Sequence, residues 1–283
     1  MARIETIGVV GAGQMGAGIA QVSAQSGYQT LLWDANGAAL ESGTASIRSQ
    51  IQKMKEKGKI TDKDAASALD RLKAAGSLSE FAKADLVIEA IVEKFEVKAA
   101  LLGELSNLVQ PDAIFASNTS SISITRLAAA SGRPERFIGM HFMNPVPVMK
   151  LLEIIRGLQT SQETYEASSQ VAERMGKTCV LAIDSPGFIV NRILVPMVNE
   201  AIFLLQEGVR PEDIDNAMKL GTNQPMGPLA LADFVGLDTL LFILQILHRE
   251  LGDDKYRPCP LLIKYVEAGW HGKKTGRGFY TYS

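Results

Sequence analysis

The chain has 283 residues, of which 46% are hydrophobic and 21% are charged, and its formal net charge is −2. This length accommodates one large or two medium domains with a sizeable apolar core. The near balance of charge argues against a nucleic-acid-binding protein, which would usually show a basic excess. Cys179 and Cys259 form neither a zinc-binding pattern nor a disulfide framework, as is typical of a cytoplasmic protein with reduced thiols.

Two further features predict a cytoplasmic protein that does not enter a membrane. Residues 1–6 lead directly into a strand pattern and show no charged-then-apolar leader. The longest leucine-rich stretch, residues 237–247, is too short to span a bilayer.

The first third of the chain reads as strand, glycine-rich loop, helix and strand. Residues 4–10 form an apolar run, a helix is predicted to about Ser26, and a second strand over 29–33 ends at Asp34. A helical hairpin follows, broken at Gly58 and resumed at Thr61 through about Lys73. The hairpin is longer than a simple crossover needs.

Strands and helices then alternate, which favours a mostly parallel sheet covered on both faces. Strands are predicted at 85–92, 113–116, 137–141 and 149–155, and helices at 95–109 and 126–130. Beyond Asp184 the pattern is helical, with helices predicted at 188–206 (kinked at Pro196), 211–220, 229–234, 237–251 and 260–268. We therefore predict an α/β domain over 1–184 and an all-α domain over 185–283.

The loop Gly11-Ala12-Gly13-Gln14-Met15-Gly16 matches a dinucleotide-binding fingerprint. Gly11 would permit the tight turn, Gly13 the approach of a pyrophosphate, and Gly16 the helix–strand contact. Asp34 would accept hydrogen bonds from the adenosine ribose and repel a 2′-phosphate, which favours NAD over NADP. The alternative is a glycine-rich turn with no ligand.

Glu93, Ser120 and His141 each follow or end a predicted strand. Ligands of open α/β sheets bind outside the carboxyl ends of the strands. We therefore expect these three side chains to converge on the crevice that the glycine loop marks.

His141 and Glu153 are candidates for proton chemistry. His141 ends an apolar run, and Glu153 lies among leucines and isoleucines, where a carboxylate needs a partner. Such a pair can accept a proton from an alcohol and stabilise the imidazolium that forms. The alternatives are a structural histidine and a salt bridge from Glu153 to an arginine or lysine. No metal-ligand spacing is present.

Two basic segments have two interpretations each. Lys53, Lys55, Lys57 and Lys59 form either a solvated face or a contact for coenzyme A phosphates. The segment 272–280 is either a flexible tail or, because of its aromatic ending, packed against the protein.

These motifs, with 117–121, 141–147, 186–192, 226–228 and 273–280, resemble the L-3-hydroxyacyl-CoA dehydrogenase family over essentially the whole chain. The resemblance is greatest to its bacterial 3-hydroxybutyryl-CoA dehydrogenase branch. It implies a Rossmann-type, doubly wound domain with an inserted helical hairpin. It also implies a helical substrate and dimerisation domain that forms a homodimer, an NAD cofactor and an acyl-CoA substrate.

The resemblance also implies roles for individual residues. His141 and Glu153 match the catalytic pair, and Ser120 and Asn191 match polar residues around the substrate. Positions near NAD are Gly11, Gly13, Gln14, Met15, Gly16, Asp34, Glu93, Lys98, Ser120, Asn144 and Lys274. Lys57 and Gln50 fall near the coenzyme A site. The family commonly has Phe where this chain has Met143, so we expect a reshaped pocket.

The implied activity is NAD-dependent oxidation of (S)-3-hydroxyacyl-CoA, above all 3-hydroxybutyryl-CoA, and the reverse reduction of acetoacetyl-CoA. Three alternatives stay open: a longer or dicarboxylic acyl-CoA such as 3-hydroxyadipyl-CoA, a free hydroxy acid, and a non-catalytic NAD-binding protein.

Overall fold

The computed structural model describes residues 4–282, and the chain divides after Ser185 into two compact units. The expectation of no leader rests largely on residues 1–3, which lie outside the described residues. The described part of the first unit contains β1 Thr6–Val10, β2 Gln29–Trp33, β3 Leu72–Ala74, β4 Leu86–Glu89, β5 Ile114–Ser117, β6 Phe137–Phe142, β7 Leu151–Arg156 and β8 Thr178–Ile183.

The eight strands form one sheet in the order β3-β2-β1-β4-β5-β6-β7-β8. Every neighbouring pair is parallel except β6 and β7, which are antiparallel. The order reverses direction between β1 and β4, which is the switch point where open α/β sheets bind ligands. The predicted doubly wound, mostly parallel sheet is confirmed.

Six α-helices connect these strands within residues 4–185. They are α1 Gln14–Gln25, α2 Gly37–Glu56, α3 Asp62–Arg71, α4 Phe95–Ser106, α5 Ile124–Ala130 and α6 Gln162–Arg174. The hairpin α2–α3 is inserted between β2 and β3, as predicted. Thr61 caps α3 because its hydroxyl accepts the Asp64 N–H at 3.1 Å. Ile7, Val9 and Leu32 are fully buried in the core beneath the helices.

Two expectations about this unit were wrong in detail. The helix predicted to reach Lys73 ends at Arg71, and Leu72–Ala74 pair with β2 instead. The strand predicted to reach Val92 ends at Glu89, although the Ala90 N–H just beyond it still donates to Val10 O. Helix α6 and strand β8 were not predicted. The edge strand β8 carries the continuous apolar run 179–183, and periodicity alone does not distinguish such a run from a helix segment.

The second unit is helical in its described part. It contains α7 Val190–Gln206, α8 Pro211–Thr222, α9 Pro228–Val235, α10 Leu237–Leu251 and α11 Pro260–Glu267. Its core gathers fully buried residues from four of these helices, including Ile202, Leu229, Leu244 and Leu262. No single helix among residues 4–282 has the length and hydropathy to cross a membrane, although α9 and α10, bent by 98°, pass that test as a pair.

The C-terminal segment packs against the second unit, as its aromatic ending predicted. Asp233 accepts the backbone N–H groups of Phe279 and Tyr280, each at 2.9 Å. Asp215 accepts the Tyr280 hydroxyl at 2.9 Å. Burial raises the pKa of Asp233, and these hydrogen bonds oppose that shift only in part.

Candidate active site

The glycine loop after β1 has the backbone geometry that a bound pyrophosphate needs. Gly11 has φ +99°, and a Cβ there would lie 2.6 Å from Ala90 O. A Cβ at Gly16 would collide with Gly11 O. A Cβ at Gly13 would meet nothing within 4 Å, so open space lies beside that residue. Gly11 and Gly16 pack closely against the backbone, and the open space beside Gly13 can accommodate the pyrophosphate of a dinucleotide.

The first turn of α1 leaves its backbone donors without a side-chain cap. Gly13 is the N-cap residue, and no acidic side chain lies in the turn that begins with Gln14 and Met15. The first N–H groups of a helix have no partner within the helix, and the helix dipole adds positive potential. This end of α1 is therefore suited to an anionic phosphate.

Asp34 lies beside this loop in a fixed orientation. Its Oδ2 accepts the Ala12 N–H at 2.7 Å, and its Oδ1 accepts the Asn36 N–H at 2.8 Å. Each carboxylate oxygen can accept a second hydrogen bond. The carboxylate is thus oriented to receive the hydroxyls of a ribose, and its charge disfavours a phosphate there.

His141 and Glu153 form a close pair inside the sheet. The antiparallel register of β6 and β7 places them directly opposite each other, on one face of the sheet. His141 Nδ1 and Glu153 Oε2 are 2.6 Å apart, and the two residues are 7% and 0% exposed. A charge-assisted hydrogen bond of this kind fixes the imidazole ring and compensates a positive charge on it.

A second buried group lies at the carboxyl ends of β4 and β5. We call it the Glu89 cluster; it comprises Glu89, Glu93, Lys98 and Ser117. The Lys98 ammonium lies 2.9 and 2.8 Å from the two Glu89 oxygens and 3.3 Å from Glu93 Oε2. The Ser117 hydroxyl also donates to Glu89. Lys98 is only 1% exposed, so its ammonium is directed at carboxylates within the protein.

Glu93 connects this cluster to the turn that follows β5. Its Oε1 accepts the Thr119 hydroxyl at 2.5 Å and the N–H groups of Ser120 and Ser121 at 2.9 and 3.1 Å. Burial alone would raise the pKa of Glu93, but the charge of Lys98 and these hydrogen bonds outweigh it and lower the pKa. The Ser120 hydroxyl makes the longest of these contacts, at 3.4 Å.

Asn118 joins this turn to the strand that carries His141. Its backbone N–H donates to Glu89 O at 2.9 Å, and its side-chain Oδ1 accepts the Phe142 N–H at 2.9 Å. The structure therefore links Ser120 and His141 through adjacent strands, as their positions at strand ends predicted. Asn118 was noted only as part of a motif, and its bridging role was not predicted.

Lys177 supports the loop between β6 and β7, which contains Asn144 and a cis Asn144–Pro145 peptide bond. The Lys177 ammonium donates to Val146 O at 2.5 Å and to Met149 O at 2.8 Å. Burial lowers the pKa of Lys177. This contact leaves no local sequence pattern, because both acceptors are distant backbone carbonyls.

Asp184 holds the start of α5, which lies near the catalytic candidates. Its carboxylate accepts the N–H groups of Ile124 and Thr125 at 2.9 and 2.8 Å. A Cβ at Gly139 would lie 2.9 Å from Ile124, so α5 packs tightly on β6 two residues before His141. From the sequence, Asp184 marks only the predicted domain boundary, and its contact with α5 was not predicted.

The other predicted residues lie apart from this arrangement or in the second unit. Gln50 is exposed on α2, and Lys57 is the exposed C-cap residue of that helix. Lys274 lies 2.6 Å from Asp238 within the second unit, and Asn191 lies in the first turn of α7. Within residues 4–282, no group of three or more potential ligands from His, Cys, Asp and Glu could hold a metal ion.

Two family models match the chain. The 3-hydroxyacyl-CoA dehydrogenase NAD-binding domain matches residues 6–185, and the C-terminal domain of the same family matches residues 187–282. The fold and the glycine-loop geometry agree with the first match. The prediction of an NAD-binding domain therefore has independent support.

Named relatives cover nearly the whole chain. A 3-hydroxybutyryl-CoA dehydrogenase of Bradyrhizobium diazoefficiens is 56% identical, over 99% of this chain and 96% of its own length. A probable 3-hydroxybutyryl-CoA dehydrogenase of Bacillus subtilis is 55% identical, over 99% and 98%. The crystal structure of (S)-3-hydroxybutyryl-CoA dehydrogenase PaaH1 from Ralstonia eutropha is 50% identical, covers 99% of both chains and gives a TM-score of 0.96.

The resemblance drawn from the motifs is thus confirmed, and so is the cofactor. NAD is the cofactor of the matched N-terminal domain. The chain belongs to the 3-hydroxyacyl-CoA dehydrogenase family and is an NAD-dependent oxidoreductase that acts on CH–OH groups.

Proposed function

We propose that the protein oxidises (S)-3-hydroxybutyryl-CoA to acetoacetyl-CoA with NAD, and catalyses the reverse reduction. The substrate is proposed from the relatives named for it, which are 43–56% identical over nearly their full length. The main support for the mechanism is the buried His141–Glu153 pair, in which His141 Nδ1 and Glu153 Oε2 are 2.6 Å apart.

His141 acts as the general base in this proposal. Its Nδ1–H donates to Glu153, which leaves Nε2 as the atom that takes the proton of the 3-hydroxyl group. Glu153 holds the ring in that orientation and stabilises the imidazolium as it forms. When bound, NAD supplies the hydride acceptor for C3. In the reverse direction, the protonated His141 returns its proton to the 3-oxo oxygen.

Ser120 and Asn191 orient the hydroxyl and thioester oxygens of the substrate. The contacts of Ser120 support this role. Its backbone N–H donates to Glu93 Oε1 at 2.9 Å, whereas its hydroxyl lies at 3.4 Å from the same oxygen. That hydroxyl can therefore turn to a substrate at little cost. Lys57, with Gln50 beside it on the hairpin, contacts the coenzyme A phosphates.

The remaining cofactor contacts follow the fit of the glycine loop. Gly11, Gly13, Gln14, Met15 and Gly16 hold the pyrophosphate, and Asp34 holds the adenosine ribose. Asn144 and Lys274 are proposed to contact the cofactor, while Lys98 acts through Glu93 because its ammonium is buried. We further propose that residues 185–283 form the substrate and dimerisation domain of a homodimer.

The test of substrate class compares three compounds with the same protein and NAD. We expect the highest kcat/KM with 3-hydroxybutyryl-CoA, a lower value with 3-hydroxyadipyl-CoA and none with free 3-hydroxybutyrate. Equal or better use of the free acid would contradict the thioester assignment. Tight NAD binding without turnover of any of the three would support a non-catalytic protein.

A further inference from the structure

The Glu89 cluster carries more negative than positive charge in a buried place. Glu89 is 0% and Lys98 1% exposed, and Glu93 is the member that reaches the surface. Glu89 receives two hydrogen bonds from Lys98, one from Ser117 and one from the Ile91 N–H. All of these partners are donors, as an ionised carboxylate requires. Two carboxylates and one ammonium leave the cluster with a net charge of −1.

The strand order gives this cluster a definite place relative to the cofactor. Asp34 follows β2, the glycine loop follows β1, and the cluster lies at the ends of β4 and β5 on the other side of β1. An NAD molecule with its adenosine ribose at Asp34 and its pyrophosphate at the loop extends its nicotinamide towards β4 and β5. This step rests on the cofactor orientation in the proposed function.

We propose that the Glu89 cluster shifts the cofactor affinity of the protein towards the oxidised form. The nicotinamide ring of NAD⁺ carries a positive charge, and the ring of NADH is neutral. A net negative charge beside the ring attracts only the first. Since Glu89 and Lys98 are buried, water and salt screen their charges less than they screen surface charges.

Glu89 is the residue that sets the sign of this field. Without its charge, Lys98 would offset Glu93 and the cluster would be neutral. Glu89 also holds Lys98 in place, so it is a positioning residue that acts through Lys98 and Glu93. A unit charge acting over about 8 Å at an effective dielectric constant near 20 changes a binding equilibrium by up to about thirtyfold, and less when partly screened.

The experiment measures the affinity for both cofactor forms without any turnover. NADH is titrated by its own fluorescence, and NAD⁺ is titrated by competition with NADH. The quantity compared is the ratio of the NADH dissociation constant to the NAD⁺ dissociation constant. We expect Glu89→Gln to lower this ratio by about fivefold or more, because the cluster becomes neutral.

Three further variants separate charge from structure. Lys98→Gln makes the cluster net charge −2 and should raise the ratio. The double variant Glu89→Gln/Lys98→Gln returns the charge to −1 and should restore the wild-type ratio. Ser117→Ala removes a hydrogen bond to Glu89 without a change of charge and should leave the ratio as it is. If Glu89→Gln does not fold, the double variant and Lys98→Gln still differ by one unit charge.

A uniform loss of affinity for both forms, with a ratio within about twofold of wild type, would overturn the inference and leave Glu89 a structural role. A double variant that fails to restore the ratio would overturn it as well. If the wild-type protein bound neither form, the proposed function would fail first, and the inference with it.

Discussion

Replacing Glu153 by Gln is the sharpest test of how the histidine is activated. The change keeps the size of a side chain that is fully buried, and it removes only the charge facing His141 Nδ1 at 2.6 Å. Gln can still accept the Nδ1–H, so the ring can keep its orientation. The imidazolium that forms during oxidation then lacks the negative charge of Glu153.

The magnitude follows from the distance. Two unit charges about 4 Å apart at an effective dielectric constant near 20 interact by about 4 kcal/mol. Only the part of this energy that differs between the ground state and the transition state affects the rate, so we expect kcat to fall by about 10²–10³-fold. The dissociation constant for NADH should change little, because Glu153 does not hold the cofactor.

The assay is steady-state reduction of NAD⁺ with (S)-3-hydroxybutyryl-CoA, alongside NADH binding by fluorescence. Glu173→Gln is the matched control, since that glutamate lies exposed on α6. Residues that act as a unit give non-additive losses, so the double variant His141→Gln/Glu153→Gln should be about as slow as His141→Gln. A Glu153→Gln enzyme within about fivefold of wild-type kcat would refute the role assigned to this carboxylate.

Three other changes have defined outcomes. Asp34→Ala should lower the ratio of kcat/KM with NADH to kcat/KM with NADPH by about tenfold or more, because the charge that repels the 2′-phosphate is gone. An unchanged ratio would contradict the role of Asp34. Glu93→Gln should destabilise the protein most at neutral pH. The lowered pKa of Glu93 gives stability that is present above its ordinary value of 4.5 and is lost as the pH falls through the lower folded value. Urea unfolding from pH 7 to pH 3 checks this, and a pH-independent difference would contradict it. Lys177→Met should lower the free energy of unfolding by about 1–3 kcal/mol, because the carbonyls of Val146 and Met149 lose their donor. Lys150→Met is the control, since Lys150 is exposed. An equal effect of the two substitutions would contradict the role of Lys177.

The elements that carry the site were predictable because their signals are local. The glycine fingerprint, the apolar strands and the strand-end positions of Ser120 and His141 are all read from short stretches of sequence. The context of Glu153 also predicted burial, since a carboxylate among leucines and isoleucines needs a partner. The antiparallel register that places Glu153 opposite His141 depends on the turn between β6 and β7, which no short pattern specifies.

The supporting contacts were missed because they join distant residues. Lys98 lies in helix α4, where a lysine is normally exposed, and its pairing with the carboxylates of Glu89 and Glu93 explains its burial. Glu89 carries the same local signal as Glu153, because a carboxylate inside an apolar strand needs a partner. Lys177 and Asp184 bind backbone groups 28 to 60 residues away, and such partners leave no local pattern.

The most direct test of the central claim is the turnover of acetoacetyl-CoA with NADH by His141→Gln. His248→Gln is the matched control, because His248 lies on α10 in the second unit with its side chain 40% exposed. The account predicts a loss of about 10²–10⁴-fold in kcat for His141→Gln, unchanged NADH binding, and normal activity of the control. A His141→Gln enzyme that retained more than about a tenth of wild-type turnover would show that another group moves the proton.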